Sequence, residues 1–414
     1  MSNFLSRNKS FNGEESTAPK LLIIPGYCDG LGGTLISLSL LIMGFEYCDA
    51  SDHICILVRS GSSMEQYLTQ AGQGYALKII QAQDQNQFLK QALQWVGEQK
   101  RDWPLLLDNC VWRDFLPIIV RATPRLHLSG RPVFHFCHDL ALSFNRLGYL
   151  ARKFTFGYLA PQVICNSKFT ASHVRRIMGN IQGILYQPVD IERFNDRPPN
   201  APPPNLQSIL QTGARVMLTA SRVNNPGIVG DKNLRALIPV LAHLKATGHF
   251  YHGVIVGDDR SPDRINTRTL LETAEQSGVA DRFTILPPTF AIEQYYKHAD
   301  VVVTLAPREP FGRTVVEAIA CGVPVVGSQT GGIGEILHHF APEWTVDPND
   351  PASTAEAIVR VATAPSTPDL LAKGRLWVKA HCSVESYARE MMKLTGLAPA
   401  SSSRNSGSHS STGA

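Results

Sequence analysis

Residues 300–328 read DVVVTLAPREPFGRTVVEAIACGVPVVGS and describe one strand–helix–strand unit. The continuous apolar run at 300–306 predicts a buried strand, and Gly312 is expected to begin a helix that ends near Ala320. A second apolar run at 324–328 predicts the next strand. Continuous apolar strands that alternate with helices are typical of a parallel sheet covered on both faces. The stretch therefore predicts an α/β fold.

The same alternation continues on both sides of this stretch. Further apolar, β-prone runs lie at 21–24, 53–58, 105–108, 132–138, 162–166, 183–189, 215–220, 253–258, 283–287 and 344–348. The segment RPPNAPPPN at 197–205 separates the two series, and its prolines predict a stiff linker. The sequence therefore predicts two doubly wound, Rossmann-like parallel-sheet lobes that face a central cleft. Ligands of such sheets bind outside the carboxyl ends of the strands.

Changes in composition along the chain set the expected domain boundaries. Both ends are polar and low in complexity, and the tail is rich in Ser and Gly. We expect a flexible N-terminus at 1–18, a first lobe at 19–195, a linker at 196–211, a second lobe at 212–375, C-terminal helices at 376–398 and a disordered tail at 399–414.

The composition of the 414 residues excludes several classes of protein. Apolar residues make up 43% and charged residues 18%, a balance that excludes disorder over most of the chain. The 39 basic and 35 acidic residues leave a net charge of only +4, so no nucleic-acid partner is expected. The eight cysteines include no C-x-x-C pair and are expected to be buried thiols, not disulfides or zinc ligands.

The sequence offers two observations on cellular location. The first twenty residues contain no apolar stretch of the kind that a secretory signal requires, so a cytoplasmic protein is the expectation. A cluster of cations lies in and after the aromatic-rich stretch at 142–160, namely Arg146, Arg152, Lys153, Lys168, Arg175 and Arg176. Such a cluster is usually a solvated face, and a peripheral membrane contact of the first lobe is the alternative.

Two glutamates flank the predicted helix start at Gly312. Glu309 precedes the turn, and Glu317 lies one to two turns into the helix. The backbone amides of residues 312–315 would be unpaired there and could bind an anion. Ionised carboxylates accept hydrogen bonds from sugar or ribose hydroxyls. The pattern predicts a site for an anion and hydroxyl groups, and the alternative is that both glutamates are solvated helix-end residues.

Two cations follow the predicted strand at 215–220. Arg222 comes shortly after the strand, and Lys232 lies ten residues further on. Arg binds phosphate as a planar fork and Lys as a point charge, so the two together could hold a diphosphate. Alone they would be ordinary surface residues, but their expected position opposite Glu309 favours a binding site.

The first lobe adds a glycine turn and a histidine. The turn PGYCDGLGGTL at 25–35 places Gly32 and Gly33 where backbone amides could approach an anion, and a structural turn is the alternative. The spacing is not the G-x-G-x-x-G of dinucleotide sites, so no hydride-transfer cofactor is expected. His138 ends a predicted strand and is expected at the cleft, with a structural histidine as the alternative. His135 should face the opposite side as a structural residue.

Several common catalytic motifs are missing from the sequence. No two aspartates lie two residues apart, as a magnesium–diphosphate site of the D-x-D type would need. No nucleophile elbow and no P-loop lysine motif occur. No magnesium–diphosphate site of the D-x-D type and no P-loop site are therefore expected.

The segment EPFGRTVVEAIACGVPVV at 309–326 resembles the glutamate, seven residues, glutamate signature of retaining glycosyltransferase family 4, which has the GT-B fold. The resemblance covers nearly the whole chain between its ends. It includes the Gly32-Gly33 loop, His138-Asp139, VICNSKFTASHV at 163–174, QPVDIERF at 187–194, Ser221-Arg222, Lys232-Asn233 and the stretch to Glu335.

The resemblance implies a role for each matching residue. The donor diphosphate would be held by Gly32, Gly33, Arg222, Lys232, Gly312, Arg313, Thr314 and Val315. The donor sugar would be bound by His138, Glu309, Pro310 and Phe311, with His138 and Glu309 as the catalytic residues, and the ribose by Glu317. The family mechanism needs no metal or other cofactor. The last helical stretch of this chain, roughly 383–396, is expected to cross back onto the first lobe. The spacing between Arg222 and Lys232 is longer than is common in the family.

The implied activity is the transfer of a hexose, with retention, from a UDP- or GDP-sugar such as GDP-mannose. The expected acceptor is a sugar or a lipid-linked sugar, in glycan, glycoconjugate or polysaccharide biosynthesis in the cytoplasm or at the inner face of a membrane. The alternatives are a non-catalytic nucleotide-sugar binding protein and a GT-B sugar-nucleotide epimerase. A two-lobed solute-binding protein is disfavoured by the missing export signal.

Overall fold

Two parallel β-sheets form the frame of the protein. The computed structural model describes residues 18–29, 32–142, 145–199, 201–224 and 230–397. The first sheet has the spatial order β3-β2-β1-β4-β5-β6-β7 and contains β1 (Leu21–Pro25), β2 (Ile54–Arg59), β3 (Leu77–Ile80), β4 (Leu105–Asp108), β5 (Val133–Cys137), β6 (Gln162–Cys165) and β7 (Ile181–Ile184). The second has the order β10-β9-β8-β11-β12-β13 and contains β8 (Arg215–Ala220), β9 (Tyr251–Val256), β10 (Phe283–Leu286), β11 (Val301–Thr304), β12 (Val325–Ser328) and β13 (Thr345–Val346).

Helices connect these strands. Those of the first lobe are α1 (Gly33–Tyr47), α2 (Ser63–Gln70), α3 (Gln85–Val96), α4 (Leu116–Ser129), α5 (Arg146–Leu159) and α6 (Lys168–Val174). The remainder are α7 (Pro204–Gln211), α8 (Leu237–Ala246), α9 (Ile265–Gln276), α10 (Ile292–Tyr296), α11 (Arg313–Ala320), α12 (Gly331–Leu337), α13 (Pro351–Thr363), α14 (Thr367–Cys382) and α15 (Val384–Thr395). None of the helices in the described ranges is both long and apolar enough to cross a bilayer.

The strand pairing determines where a ligand could bind. Each strand pair between described residues is parallel. The order of the first sheet reverses between β1 and β4, and that of the second between β8 and β11. Such switch points open a crevice at the carboxyl ends of the strands. The prediction of an α/β fold with two doubly wound parallel-sheet lobes is confirmed.

Two strand predictions were incomplete. Strand β3 was not predicted, because only Ile80 of this edge strand is buried and no continuous apolar run marks it. The run at 183–189 was expected to be a strand, but β7 ends at Ile184. Beyond it the chain turns toward the second lobe, where the Val189 amide donates to the Cys382 carbonyl at 2.7 Å.

The prolines at the junction do not form a linker throughout. The prediction of a stiff linker at 197–205 is wrong at its last two residues, because α7 begins at Pro204. A proline in the first turn of a helix costs no hydrogen bond, and its fixed φ suits that turn. The apolar side chains of Leu206 and Ile209 then anchor α7 in the core of the second lobe.

The last two helices pack on different lobes. Helix α14 contacts α11 of the second lobe, whereas α15 packs along α1 of the first lobe. Tyr387, Ala388 and Met391 of α15 are part of the first hydrophobic core. The close approach depends on Gly44 in α1, where a Cβ atom would lie 2.5 Å from the Val384 carbonyl oxygen.

Replacement of this glycine tests the helix packing. Gly44→Ala is expected to lower the free energy of unfolding by about 1–3 kcal/mol, because the added methyl group overpacks the α1–α15 contact. Gly157 in α5 is the matched control, since a Cβ there meets nothing within 4 Å. Gly157→Ala should leave stability unchanged or raise it by up to about 1 kcal/mol. Denaturant unfolding followed by circular dichroism measures both, and a Gly44→Ala variant as stable as the parent would contradict the packing.

His135 in β5 gives the fold a sensitivity to acid. Its side chain is fully buried, and burial lowers the pKa of His135 from 6.5 to about 3. Below pH 6.5 His135 therefore binds a proton in the unfolded chain but stays neutral in the folded chain. The free energy of unfolding falls as the pH falls. Between pH 7.5 and 5.0 this one group should lower the free energy of unfolding by about 2 kcal/mol. His135→Leu should lose less stability over that interval, and an unchanged loss in denaturant unfolding would contradict this explanation.

Candidate functional site

An ion pair joins two loops at the switch point of the second sheet. Arg222 and Lys232 lie on the segment that follows β8, and Glu309 lies on the loop that follows β11. The two strands are neighbours, with Met217 in register with Val301. The Lys232 Nζ atom lies 2.5 Å from the Glu309 Oε2 atom, and both side chains are mostly buried. The structure thus brings together two of the residues that the sequence analysis selected.

Asn233 fixes the backbone next to Lys232. This residue adopts a left-handed conformation with φ of 53°, which Asn tolerates better than most side chains. Its buried Nδ2 atom donates to the carbonyl oxygens of Leu305 at 3.3 Å and Pro348 at 3.4 Å. No role was predicted for Asn233. Its two acceptors lie 72 and 115 residues away in the chain, so no local pattern marked them.

Arg222 has a different environment from Lys232. Its side chain is exposed, and no hydrogen bond or ion pair ties it to another residue of the described part of the chain. The guanidinium group is therefore available to a ligand. Its fork of donors suits the oxygens of a phosphate.

Glycines let the Glu309 loop lie directly against the start of α12. The Gly332 amide donates to the Glu309 carbonyl at 2.8 Å. A Cβ on Gly332 would stand only 2.3 Å from the Phe311 carbonyl oxygen, so no other residue fits there. Gly312 has φ of 102°, which favours glycine, and begins the turn into α11. Backbone packing therefore sets the position of the Glu309 carboxylate.

The start of α11 leaves fewer open amides than predicted. The Val315 amide donates to the Gly312 carbonyl at 2.9 Å, so it is not available to an anion. The amides of Arg313 and Thr314 have no acceptor among the residues that the structure describes. The predicted contribution of residues 312–315 is therefore corrected, because the helix itself uses the amide of Val315.

The Arg313 side chain crosses to the first lobe. Its Nη2 atom donates to the Ser37 hydroxyl at 2.6 Å, to the Gly33 carbonyl at 3.3 Å and to the Gln187 Oε1 atom at 3.3 Å. Burial lowers the pKa of Arg313, and Glu317 opposes that shift. Both Nη atoms of the guanidinium donate to protein oxygens, so the backbone amide of Arg313 is better placed than the side chain for the predicted phosphate contact.

His138 lies in a hydrogen-bond chain that starts in the first lobe. Its Nε2 atom contacts the Asp108 Oδ1 atom at 2.5 Å, and its Nδ1 atom contacts the Gln187 Nε2 atom at 2.9 Å. The amide NH2 of Gln187 can only donate, so Nδ1 accepts and the proton sits on Nε2. Because Gln187 also accepts from Arg313, the chain runs from Asp108 to the second lobe.

This chain occupies both ring nitrogens of His138. The buried histidine can donate to a ligand only after one of these bonds opens. Neither partner of His138 was predicted. Asp108 could have been found, since it ends an apolar strand at the switch point of the first sheet, whereas Gln187 was noted only within the matching stretch at 187–194 and was given no role.

Glu317 faces the interior of the second lobe. Its Oε2 atom accepts a hydrogen bond from the hydroxyl of the buried Tyr296 at 3.0 Å. Burial raises the pKa of Glu317, and the Arg313 guanidinium opposes that rise. The structure therefore gives Glu317 a protein partner on α10, and the ribose contact stays a prediction.

The two residues between Glu309 and Gly312 contact protein rather than open space. The Pro310 carbonyl accepts from the hydroxyls of Ser167 at 2.5 Å and Thr170 at 3.2 Å, both in the first lobe. The Phe311 ring is buried and lies 6.0 Å from the Tyr186 ring, measured between centroids. Phe311 can therefore meet a sugar only through its backbone. Gly32 and Gly33, by contrast, are exposed.

Glu335 forms a second bridge between the lobes. Its two carboxylate oxygens accept from the amides of Lys168 and Phe169, each at 2.9 Å, at the first turn of α6. The Tyr186 hydroxyl donates to the same carboxylate at 3.0 Å. Burial and the neighbouring Glu335 raise the pKa of Tyr186. No role was predicted for Glu335, because its partners lie about 150 residues or more away in the chain.

The second lobe is similar to a known family. Residues 216–392 match the family described as "Glycosyl transferases group 1". A D-inositol 3-phosphate glycosyltransferase of Mycolicibacterium vanbaalenii is 34% identical over 163 residues, 37% of this chain and 35% of the relative. The enzyme of the same name from Saccharomonospora viridis is 28% identical over 188 residues, 45% of this chain and 43% of the relative. The matches thus span less than half the length of either relative.

Solved structures resemble the whole chain. The Anabaena protein Alr3699/HepE in complex with UDP has a TM-score of 0.71 at 18% identity, over 92% of this chain and 100% of that one. A glycosyltransferase from Rickettsia africae has a TM-score of 0.71 at 16% identity, over 92% of this chain and 98% of that one. The sucrose-phosphate synthase of Thermosynechococcus elongatus has a TM-score of 0.65 at 17% identity, over 91% of this chain and 98% of that one. These similarities show that the chain has the predicted GT-B fold.

Substitution of Glu335 tests the bridge between the lobes. Glu335→Gln should speed hydrogen exchange in the first turn of α6, because an amide side chain offers only one acceptor oxygen to the Lys168 and Phe169 amides. Glu343→Gln is the matched control, since Glu343 is exposed. Hydrogen–deuterium exchange of peptides covering 167–174 measures the effect. Equal protection in both variants would contradict a bridge through Glu335.

Proposed function

We propose that this chain is a retaining glycosyltransferase of family 4. It moves a hexose from a nucleoside diphosphate sugar, a UDP- or GDP-sugar, to a sugar or glycolipid-type acceptor in glycan or glycoconjugate biosynthesis in the cytoplasm. The observation that carries the proposal is the Lys232–Glu309 ion pair, which lies beside the open start of α11. A cation for phosphate and a carboxylate for hydroxyl groups are thus held in contact at the switch point where such ligands bind.

The ion pair supplies both halves of a donor site. When a donor enters, the Lys232 ammonium can leave Glu309 for the diphosphate, and the freed carboxylate can accept from hydroxyls of the sugar. Neither charge is then left without a partner in the partly buried site. Arg222 and the amides of Arg313 and Thr314 add further donors to the diphosphate.

The same groups account for the chemistry. As the bond between the sugar and the diphosphate breaks, negative charge grows on the leaving phosphate oxygens. Lys232, Arg222 and the start of α11 would stabilise that charge, and this kind of prearranged stabilisation is usually the largest contribution to catalysis. Because these cations supply the positive charge, we propose that the transfer needs no divalent metal.

The first lobe would complete the site. Gly32 and Gly33 lie at the switch point of the first sheet, and the Gly33 carbonyl contacts the Arg313 side chain. His138, held as the Nε2–H tautomer by Asp108, would bind and orient the donor sugar when Gln187 releases its Nδ1 atom. Glu317 would bind the ribose when its hydrogen bond with the Tyr296 hydroxyl opens.

The similarities support a nucleotide-sugar donor without fixing its identity. The Anabaena protein of similar fold was solved with UDP and with UDP-glucose. The curated relatives are named as glycosyltransferases that act on D-inositol 3-phosphate. A phosphorylated polyol is therefore among the acceptors to test.

Substitutions at the ion pair and at Arg222 test the proposal. Glu309→Gln and Arg222→Ala should each lower kcat/KM for the best donor by about 100-fold or more. Arg222→Ala removes a cation that would stabilise negative charge on the leaving diphosphate, and Glu309→Gln removes the carboxylate that would accept from hydroxyls of the sugar. The matched controls are Glu275→Gln and Arg268→Ala on the exposed surface of α9, which should leave kcat/KM unchanged. The assay measures release of nucleoside diphosphate from a panel of UDP- and GDP-sugars with several acceptors.

Four outcomes would contradict the proposal. Full activity of Glu309→Gln and Arg222→Ala would overturn the site. Tight donor binding in calorimetry without transfer to any acceptor would indicate a non-catalytic binding protein, and conversion of the donor without acceptor would indicate an epimerase. Loss of activity in EDTA that added magnesium restores would overturn the metal-independent mechanism. NMR of the product anomer distinguishes retention from inversion.

A further inference from the structure

The outer face of α5 exposes a row of large apolar side chains. Leu147 is 79% exposed, Leu150 57%, Phe154 65% and Tyr158 42%. They are spaced by three, four and four residues, so they form one stripe along the helix, about 16 Å long. We call these four residues the α5 stripe. Exposed apolar residues that stand alone are ordinary, but a contiguous row indicates a binding surface.

The stripe is not needed for folding of the lobe. The opposite face of α5 already anchors the helix, because Thr155, Phe156 and Leu159 are buried and α5 packs on α4. The end of α4 extends the exposed surface. Leu128 is 85% exposed, and the ring of the adjacent His127 lies 6.1 Å from that of Tyr158.

The stripe is embedded in a strongly basic part of the chain. Residues 115–189 contain nine lysines and arginines and a single acidic residue, Asp139. This segment alone carries a net charge of +8, although the whole chain carries only +4. On α5 itself, Arg146 and Lys153 are exposed, and the helix contains no acidic residue. We call the exposed cations of residues 115–189 the basic band.

We propose that the α5 stripe and the basic band dock the first lobe onto an anionic lipid surface. The leucine and aromatic side chains would enter the boundary between headgroups and acyl chains, and the cations would lie against the lipid phosphates. A helix with an apolar face flanked by Lys and Arg binds membranes in this way, and its affinity rises with both burial and charge.

Charge and side-chain chemistry favour lipid over other occupants. A second copy of this chain would bring two basic bands face to face, and like charges across an interface oppose association. A nucleic acid would satisfy the cations but would leave Leu147 and Leu150 against a phosphate backbone. Only an anionic lipid surface matches the apolar stripe and the surrounding charge together.

The docking would also define the acceptor. For the acceptor alone, the inference rests on the proposed transferase function, since a first lobe held at a membrane would receive its sugar acceptor on a lipid. The docking itself involves no sugar transfer. It is therefore tested apart from the catalytic proposal.

Vesicle flotation tests the docking with the full chain and no substrates. At about 0.1 M salt the protein should bind phosphatidylcholine vesicles that contain phosphatidylglycerol at least tenfold better than pure phosphatidylcholine vesicles, because phosphatidylglycerol supplies the negative surface charge. Leu150→Ser with Phe154→Ser, and separately Arg146→Glu with Lys153→Glu, should each reduce binding about tenfold or more. Binding that depends on Arg146 and Lys153 should weaken as salt rises.

Matched controls separate docking from general surface effects. Leu376→Ser on α14 removes an equally exposed leucine, and Arg268→Glu on α9 reverses an exposed charge of the second lobe. Both should bind vesicles like the parent protein. Thermal unfolding checks that every variant is folded, and the single substitution Phe154→Ser replaces the double variant should that one unfold.

Several results would overturn the proposal. The first is that the protein shows no preference for anionic vesicles. The second is that the stripe variants bind vesicles as well as the parent, and the third is that the control variants lose as much vesicle binding as the stripe variants. Association into dimers that the stripe substitutions abolish, in the absence of vesicle binding, would assign the surface to a second copy. Binding of single-stranded RNA in place of vesicles would assign the basic band to nucleic acid.

Discussion

The ion pair of Lys232 and Glu309 holds two opposite charges together at the carboxyl ends of β8 and β11, the switch point of the second sheet. Neither group could be left alone there at low cost, since a charge removed from water needs a partner. The pair therefore keeps the ligand-free site stable and also defines what may replace it. On the proposed function, a ligand would offer an anion to Lys232 and hydroxyl donors to Glu309 at the same time. A nucleoside diphosphate sugar has both at adjacent positions, whereas free phosphate or a free sugar has only one.

Contacts between the lobes connect this pair to the first lobe. The Arg313 side chain, the Glu335 carboxylate and the Pro310 carbonyl each bond to a first-lobe group, and Pro310 and Arg313 lie within four residues of Glu309. Any rotation of the lobes must therefore move the Glu309 loop or break these bonds. Through Gln187 the same contacts reach His138, so closure of the cleft and the orientation of the histidine are linked.

The sequence predicted those features that local chemistry determines. Strands such as β11 were recognised because both of their faces are buried, and α11 because a glycine turn precedes an apolar helix. The edge strand β3 was missed because it faces solvent on one side. Lys232 and Glu309 were found through their position after strands and the resemblance to a family. The contacts that Arg313, Gln187 and Glu335 make between the lobes were not predicted. Their partners lie in other elements, and no sequence spacing indicates these contacts.

A structure with an intact UDP- or GDP-sugar in the cleft would test the central claim most directly. The account predicts that the Lys232 Nζ atom leaves Glu309 and lies within hydrogen-bond distance of the diphosphate, while the Glu309 carboxylate accepts from a sugar hydroxyl. Arg222 should reach the same diphosphate. A donor bound elsewhere, with the ion pair of Lys232 and Glu309 still at its present distance of 2.5 Å, would contradict the account.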